Sequence, residues 1–180
     1  MRVISGTARG VVLKTPDGLK TRPTADRVKE ALFSIIQFDL PGAKVLDLFG
    51  GTGQLGIEAL SRGAKHAVFV DQLEDACRLI KENLRRTKLT EQATVIRGDY
   101  MQYLNTCCDR FDIVLLDPPY AEVFLENALK KLSEIDILQS GGIIVAERPV
   151  DKENPGDFEG FCRVKDYKYG NTALTLYRKD

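Results

Sequence analysis

Asp117-Pro118-Pro119-Tyr120 is the stretch of this 180-residue chain with the clearest chemistry in it. It follows the hydrophobic run Phe111–Leu116, so it leaves a buried strand at its carboxyl end. Two consecutive prolines fix φ twice and remove two N–H donors, and the first holds Asp117 extended. The turn therefore offers acceptors without backbone donors: the Asp117 carboxylate and the Pro118 carbonyl. An exocyclic amine on a nucleobase is a weak nucleophile because its lone pair is delocalised into the ring. Two acceptors gripping its N–H groups favour pyramidalisation, aim the lone pair and help a proton leave. Tyr120 adds a flat face on which a flipped base can stack. A rigid loop without chemistry is the plainer reading of a Pro-Pro pair taken alone.

The second constellation is Asp47-Leu48-Phe49-Gly50-Gly51-Thr52-Gly53-Gln54-Leu55-Gly56. Glycines between a strand and a helix let the backbone approach a ligand and present N–H groups at a helix N-terminus. Gly51, Gly53 and Gly56 fit G-x-G-x-x-G, and Asp71 follows Gly51 by 20 residues at the end of the next strand. That spacing suits a carboxylate accepting hydrogen bonds from ribose hydroxyls. A nicotinamide dinucleotide and S-adenosylmethionine both satisfy it, and a glycine turn that merely packs helix on sheet satisfies its first half. Asp47 favours the second ligand. A carboxylate there would repel a pyrophosphate and suits a ligand bearing an amino group and a sulfonium. Asp99 can accept from an adenine amine; it can equally cap the helix that follows.

The elements that must position these residues alternate short β-branched runs with helical patterns, the βαβ signature of a parallel sheet. Strands are expected at Val45–Phe49, Ala67–Asp71, Ala93–Arg97, Phe111–Leu116 and Gly142–Glu147. Helices are expected at about Gln54–Arg62, from Asp71 to about Arg86 with Leu73, Cys77, Ile80 and Leu84 on one face, and around 122–132. Before them, strand-like pieces at Val3-Ile4 and Val11–Leu13 precede a helix capped by Thr24, with Val28, Ala31, Leu32, Ile35 and Ile36 on its apolar face. The tail, 160–178, reads as an antiparallel hairpin around Tyr169-Gly170-Asn171.

Composition removes several function classes. Hydrophobic residues at 43% and charged ones at 29% describe one globular domain. No apolar run approaches the roughly 18 residues of a membrane span. The first residues carry no leader, so the four cysteines, none in a CxxC pair, read as reduced cytoplasmic thiols, and no metal site is expected. The single histidine, His66, has no serine or cysteine partner in a hydrolase pattern. Net charge is zero, yet residues 1–30 hold seven basic and three acidic side chains, a local +4 that suits a phosphate-binding surface. Ordinary solvated charge accounts for it equally well.

Taken together, Asp47–Gly56, Asp71, Asp99 and Asp117–Tyr120 resemble, in order and spacing, the successive motifs of S-adenosylmethionine-dependent N-methyltransferases of the DPPY type. More narrowly, the chain is similar to the bacterial methyltransferases that act on the N2 amine of guanine in 16S ribosomal RNA. Arg2–Gly6 with Arg9-Gly10, Leu19–Phe33 and Tyr169–Leu174 carry that narrower likeness, which extends over nearly the whole chain. Gly50 and Thr52 stand where the family more often has alanine and serine, and Asp71 where it often has glutamate; shape and charge are kept.

The resemblance implies a Rossmann-like α/β fold. A mostly parallel seven-stranded sheet ends in the hairpin, preceded by an RNA-contacting extension over 1–40 on a methyltransferase domain over 41–180. It implies S-adenosylmethionine held by Asp47, Phe49, Gly50, Gly51, Thr52, Gly53, Asp71, Gln72, Asp99 and Tyr100. Asp117, Pro118, Pro119 and Tyr120 then work on the target amine, and Arg9, Arg22 and Arg27 contact RNA, unless those arginines form surface salt bridges or Arg22 and Arg27 brace the active-site rim. The implied partner is 16S ribosomal RNA within a small subunit or late assembly intermediate, met by a monomer. Two rivals remain: adenine-N6 methylation by the same turn, and a non-catalytic assembly factor that keeps the fold.

Overall fold

The structure, a computed structural model, describes residues 1–16, 23–119, 122–152 and 156–179. Seven strands and five helices follow in order: α1 (Pro23–Ile35), β1 (Lys44–Asp47), α2 (Gln54–Ser61), β2 (His66–Asp71), α3 (Glu74–Thr87), β3 (Ala93–Arg97), α4 (Tyr100–Thr106), β4 (Phe111–Leu116), α5 (Glu122–Glu134), β5 (Leu138–Pro149), β6 (Phe161–Tyr169) and β7 (Thr172–Lys179). They form one sheet in the order β3-β2-β1-β4-β5-β7-β6. The first five strands run parallel, and β7 lies antiparallel between β5 and β6.

The central strands β1 and β4 are buried on both faces, which is why Val45-Leu46 and Ile113–Leu116 are unbroken apolar runs. Alternation along them sorts side chains between two cores. Val45, Ile113, Leu115, Ile143 and Val145 face α1, α2 and α3 through Leu32, Phe33, Ile57 and Ile80. Leu46, Val114, Leu116, Ile144 and Ala146 face α4 and α5 through Leu104, Ala128 and Leu129. Gly56 lets α2 lie directly on β2, because a Cβ there would sit 2.2 Å from the Phe69 ring.

Several boundaries differ from the sequence reading. β1 stops at Asp47: Leu48 still donates to the Leu115 carbonyl at 3.2 Å, but Phe49 turns out of the sheet toward an aromatic neighbour. β5 begins earlier than 142, where Leu138 pairs with Phe111 of β4, and ends later than 147 because β7 pairs with it as far as Pro149. α1 starts at Pro23, so Thr24 lies in its first turn instead of preceding it. The N-terminal pieces form a narrow hairpin with one isolated bridge, Arg2 to Val12, in place of two strands.

Side chains of α2 hold that hairpin. The Ile4 and Ser5 N–H groups donate to the buried Glu58 carboxylate at 2.8 and 3.0 Å. Lys29 of α1 lies 3.7 Å from the same carboxylate and donates to the Arg2 carbonyl at 2.6 Å. Gly6, at φ 84°, passes so close that a Cβ would sit 1.7 Å from the Ser61 carbonyl oxygen.

Candidate active site

The carboxyl ends of β1, β2, β3 and β4 converge on one edge, where side chains are freed from strand pairing. At β1 the chain enters the glycine turn, with Gly51 and Gly53 at φ 53° and 79°, a region that favours glycine. The Gly51 N–H donates to Asp71 Oδ2 at 2.9 Å, and the Leu73 N–H donates to Oδ1 at the same distance. Asp71 thus ties the glycine turn to the end of β2. Each of its oxygens keeps a further lone pair for a ribose hydroxyl.

Asp99 caps α4, its Oδ1 accepting from the Met101 and Gln102 N–H groups at 2.9 and 3.0 Å. The capping alternative is therefore realised, while Oδ2 carries no bond among the described residues. Tyr100, the first residue of α4, lies 5.0 Å from the Phe49 ring and 5.8 Å from Phe124, edge-on to the latter. This aromatic row forms one side of a cavity of about 280 Å³ whose wall also includes Leu48, Gly51, Val70, Asp71, Gln72, Leu73, Gly98, Asp99, Asp117 and Pro119. Ribose-class acceptors, an apolar slot and a backbone turn at a helix start are what an adenosine-containing ligand requires.

Asp47 differs from expectation. It does not line the cavity; it is 1% exposed beneath the turn, with Oδ2 accepting the Gly56 N–H at 3.0 Å and Oδ1 without a partner among the described residues. Burial pushes its carboxyl up to about 7, against the pull of the Gly56 N–H, and the charges of Asp117 and Asp71 add to the rise. A buried acceptor left orphaned calls for a donor, and the ammonium of a methionine moiety is of the right sign. S-adenosylmethionine fits this edge on that ground and on the Asp71 geometry.

Asp117 leaves β4 at the cavity, half-buried, and burial pushes its carboxyl up to about 6. Pro119 is exposed and lines the cavity, whereas Pro118 is half-buried and outside its wall. Tyr120 and Arg22, both singled out by the sequence, lie outside the described residues. Arg9 and Arg27 are exposed and carry no ion pair among the described residues, so the salt-bridge alternative is not realised for them there.

Three participants escaped the sequence reading. Leu73, expected on the buried face of α3, stands 61% exposed at the cavity mouth, because it precedes the helix as its cap residue. Phe124 arrives from α5, with no local motif to announce it. Glu147 ends the apolar run of β5 beside Asp117, two residues before the strand itself stops, and the rule that picked out Asp117 at the end of an apolar run applies to it equally.

The chain has counterparts among known proteins. A relative from Bacillus subtilis, named "Putative rRNA methyltransferase YlbH", is 41% identical over 99% of both chains. The Haemophilus influenzae protein named "Ribosomal RNA small subunit methyltransferase D" is 37% identical over 99% of this chain and 93% of its own. The solved structure titled "Putative methyltransferase yhhF from Escherichia coli" superposes with a TM-score of 0.90, at 29% identity, over 100% of this chain and 98% of that one. The seven-stranded sheet and its helices are the Rossmann-like α/β fold of S-adenosylmethionine-dependent methyltransferases. With a family profile matching residues 1–178, this chain belongs to the family described as Conserved hypothetical protein 95.

Proposed function

We propose that this protein methylates the exocyclic N2 amine of one guanine in 16S ribosomal RNA, working in the cytoplasm as a monomer on a small subunit or a late assembly intermediate. The observation that carries the reading is Asp117, placed at the end of the cavity whose other residues suit adenosine. S-adenosylmethionine, when bound, supplies a methyl group already activated by its sulfonium.

The chain's own residues do the rest. Asp71 takes the ribose hydroxyls, Asp99 Oδ2 the adenine amine, and Phe49, Leu73, Tyr100 and Gln72 enclose the ring. The Gly50–Gly53 backbone, with Thr52, receives the methionine end, and Asp47 Oδ1 attracts its ammonium from below. Asp117 and the Pro118 carbonyl hold the two N–H groups of the target amine, so that its lone pair points away from them. One of those protons leaves toward the Asp117 carboxylate. Tyr120 stacks on the base. The extension over residues 1–40 supplies Arg9, Arg22 and Arg27 for RNA phosphates, on a methyltransferase domain over 41–180.

The relatives named as ribosomal RNA methyltransferases support the substrate class. The N-terminal block, Arg2–Gly6 and Leu19–Phe33, favours guanine over the adenine alternative, because the Asp117–Tyr120 turn alone suits either base. Incubating the protein with methyl-labelled S-adenosylmethionine and small subunits lacking the modification, followed by nucleoside analysis, tests the proposal. Label in N2-methylguanosine is expected. Label in N6-methyladenosine keeps the Asp117 chemistry and overturns the base, and tight cofactor binding with no transfer to subunits or bare 16S RNA leaves a binding factor.

A further inference from the structure

Glu147 is a carboxyl without an occupation. It ends the apolar run of β5, half-buried, and makes no hydrogen bond or ion pair among the described residues. Arg148 cannot serve it. That guanidinium points to the opposite face, where it donates to the Thr175 hydroxyl and the Lys152 carbonyl and lies 3.6 Å from Asp166. Across β7 the residue opposite Glu147 is Leu174, which is apolar and buried. A half-buried acid with no partner among the described residues costs stability, so its retention asks for a ligand.

Register says which ligand region it meets. β4 and β5 run parallel with Leu116 beside Ala146, which sets Asp117 beside Glu147 one residue further on, about 4.8 Å apart along the backbone. Alternation puts both side chains on the face of Leu115 and Val145. Asp47, on the same face of β1, lies opposite Leu115 and so sits one pleat below the pair. Burial and the charge of Asp117 push Glu147 up to about 8, and an N–H donor laid against it draws it back toward the ionised form. These three neighbouring carboxyls share one internal donor among the described residues, the Gly56 N–H on Asp47. The group is short of N–H donors.

Guanine presents two donors side by side, N1–H and N2–H, on the edge that carries the reacting amine. Adenine places a lone pair at N1 beside its own amine. We propose that the Glu147 carboxylate accepts the N1–H of the target guanine while Asp117 holds the amine, making Glu147 the residue that selects guanine. The inference rests on the guanine-N2 reading above and deepens it. A negative charge at N1–H also pushes electron density through C2 toward N2, which makes the amine a better nucleophile. Adenine offers a lone pair where guanine offers N1–H, so it meets repulsion from the ionised acid and pairs only with the protonated one, whose missing charge no longer assists the amine.

The test compares the wild-type protein with Glu147→Gln and Glu147→Ala on small subunits reconstituted from ligated 16S RNA, with guanine or 2-aminopurine at the mapped target. 2-Aminopurine keeps the N2 amine but has a lone pair at N1. Wild type should prefer guanine strongly. Glu147→Ala should lose roughly tenfold to a hundredfold in kcat/KM on guanine, the scale of one hydrogen bond to a charged group. Glu147→Gln, whose amide can donate to a bare N1, should bring the guanine to 2-aminopurine ratio down by at least that factor. All three should bind S-adenosylmethionine equally and melt cooperatively. An unchanged ratio in a folded Glu147→Gln variant that still forms N2-methylguanosine overturns the inference and leaves the guanine-N2 reading intact. A wild-type product other than N2-methylguanosine overturns both.

Discussion

Asp47 shows how one buried carboxyl sets stability against binding. Its pKa is raised by burial from 3.8 to about 7, so the folded state holds a proton that the unfolded chain gives up more readily. Stability from this group is therefore full below 3.8 and is lost as pH rises toward about 7. Asp47→Asn keeps an oxygen for the Gly56 N–H and removes the ionisable group. The ligand-free variant should be more stable than wild type by about 1–3 kcal/mol above neutral pH, with the gain fading in acid. Affinity for S-adenosylmethionine should fall by a similar amount, because the ammonium loses its counter-charge. Thermal melts across pH, with and without cofactor, check both signs. A gain that does not vary with pH would mean that packing, and not the proton, sets the effect.

At the scale of elements, the site depends on a tie that no motif records. Asn83 of α3 is fully buried, and its Oδ1 accepts the Lys14 N–H at 2.7 Å. Its Nδ2 donates to the Lys14 carbonyl at 3.0 Å and to the Thr52 carbonyl at 2.9 Å. One amide thus joins the glycine turn to the chain leaving the N-terminal hairpin. Asn83→Ala strands three backbone groups at once, each worth about 1–3 kcal/mol when left unpaired. It should weaken cofactor binding roughly tenfold, the scale of one such group, and speed amide exchange at Lys14. Faster exchange with unchanged affinity would mean that the Asp71 bond alone shapes the turn. The turn itself was legible in the sequence, since strand, glycines and helix are contiguous and their periodicity changes within a few residues. Asn83 was not. A single polar residue inside a helical pattern reads as solvated until tertiary packing buries it.

The whole molecule explains what else stayed hidden, because the order β3-β2-β1-β4-β5-β7-β6 brings distant segments to one edge. The chain reverses direction of growth between β1 and β4, and the cavity opens at that reversal. Propensity sees neither the reversal nor the arrival of Phe124 beside it, whereas Asp71, Asp117 and Glu147 each end an apolar run, and only the strand order sets which of them meet. Charge follows the same logic. Net charge is zero, so no broad positive field draws RNA in. Of the basic residues near the N-terminus, Lys29 is buried against Glu58 and Lys14 pairs with Glu82, so neither is available to phosphate. Arg2, Arg9 and Arg27 remain exposed and carry no ion pair among the described residues. If phosphate binding is concentrated there, its salt dependence must be shallow and must reside in those few side chains. Arg9→Ala with Arg27→Ala should therefore reduce the slope of log affinity against log salt by about two, one for each phosphate no longer neutralised. Cofactor affinity should not change, since neither residue lines the cavity. Titrating unmodified small subunits at several salt concentrations measures the slope directly. A slope equal to wild type would place the RNA on another face and assign the basic extension to holding the fold.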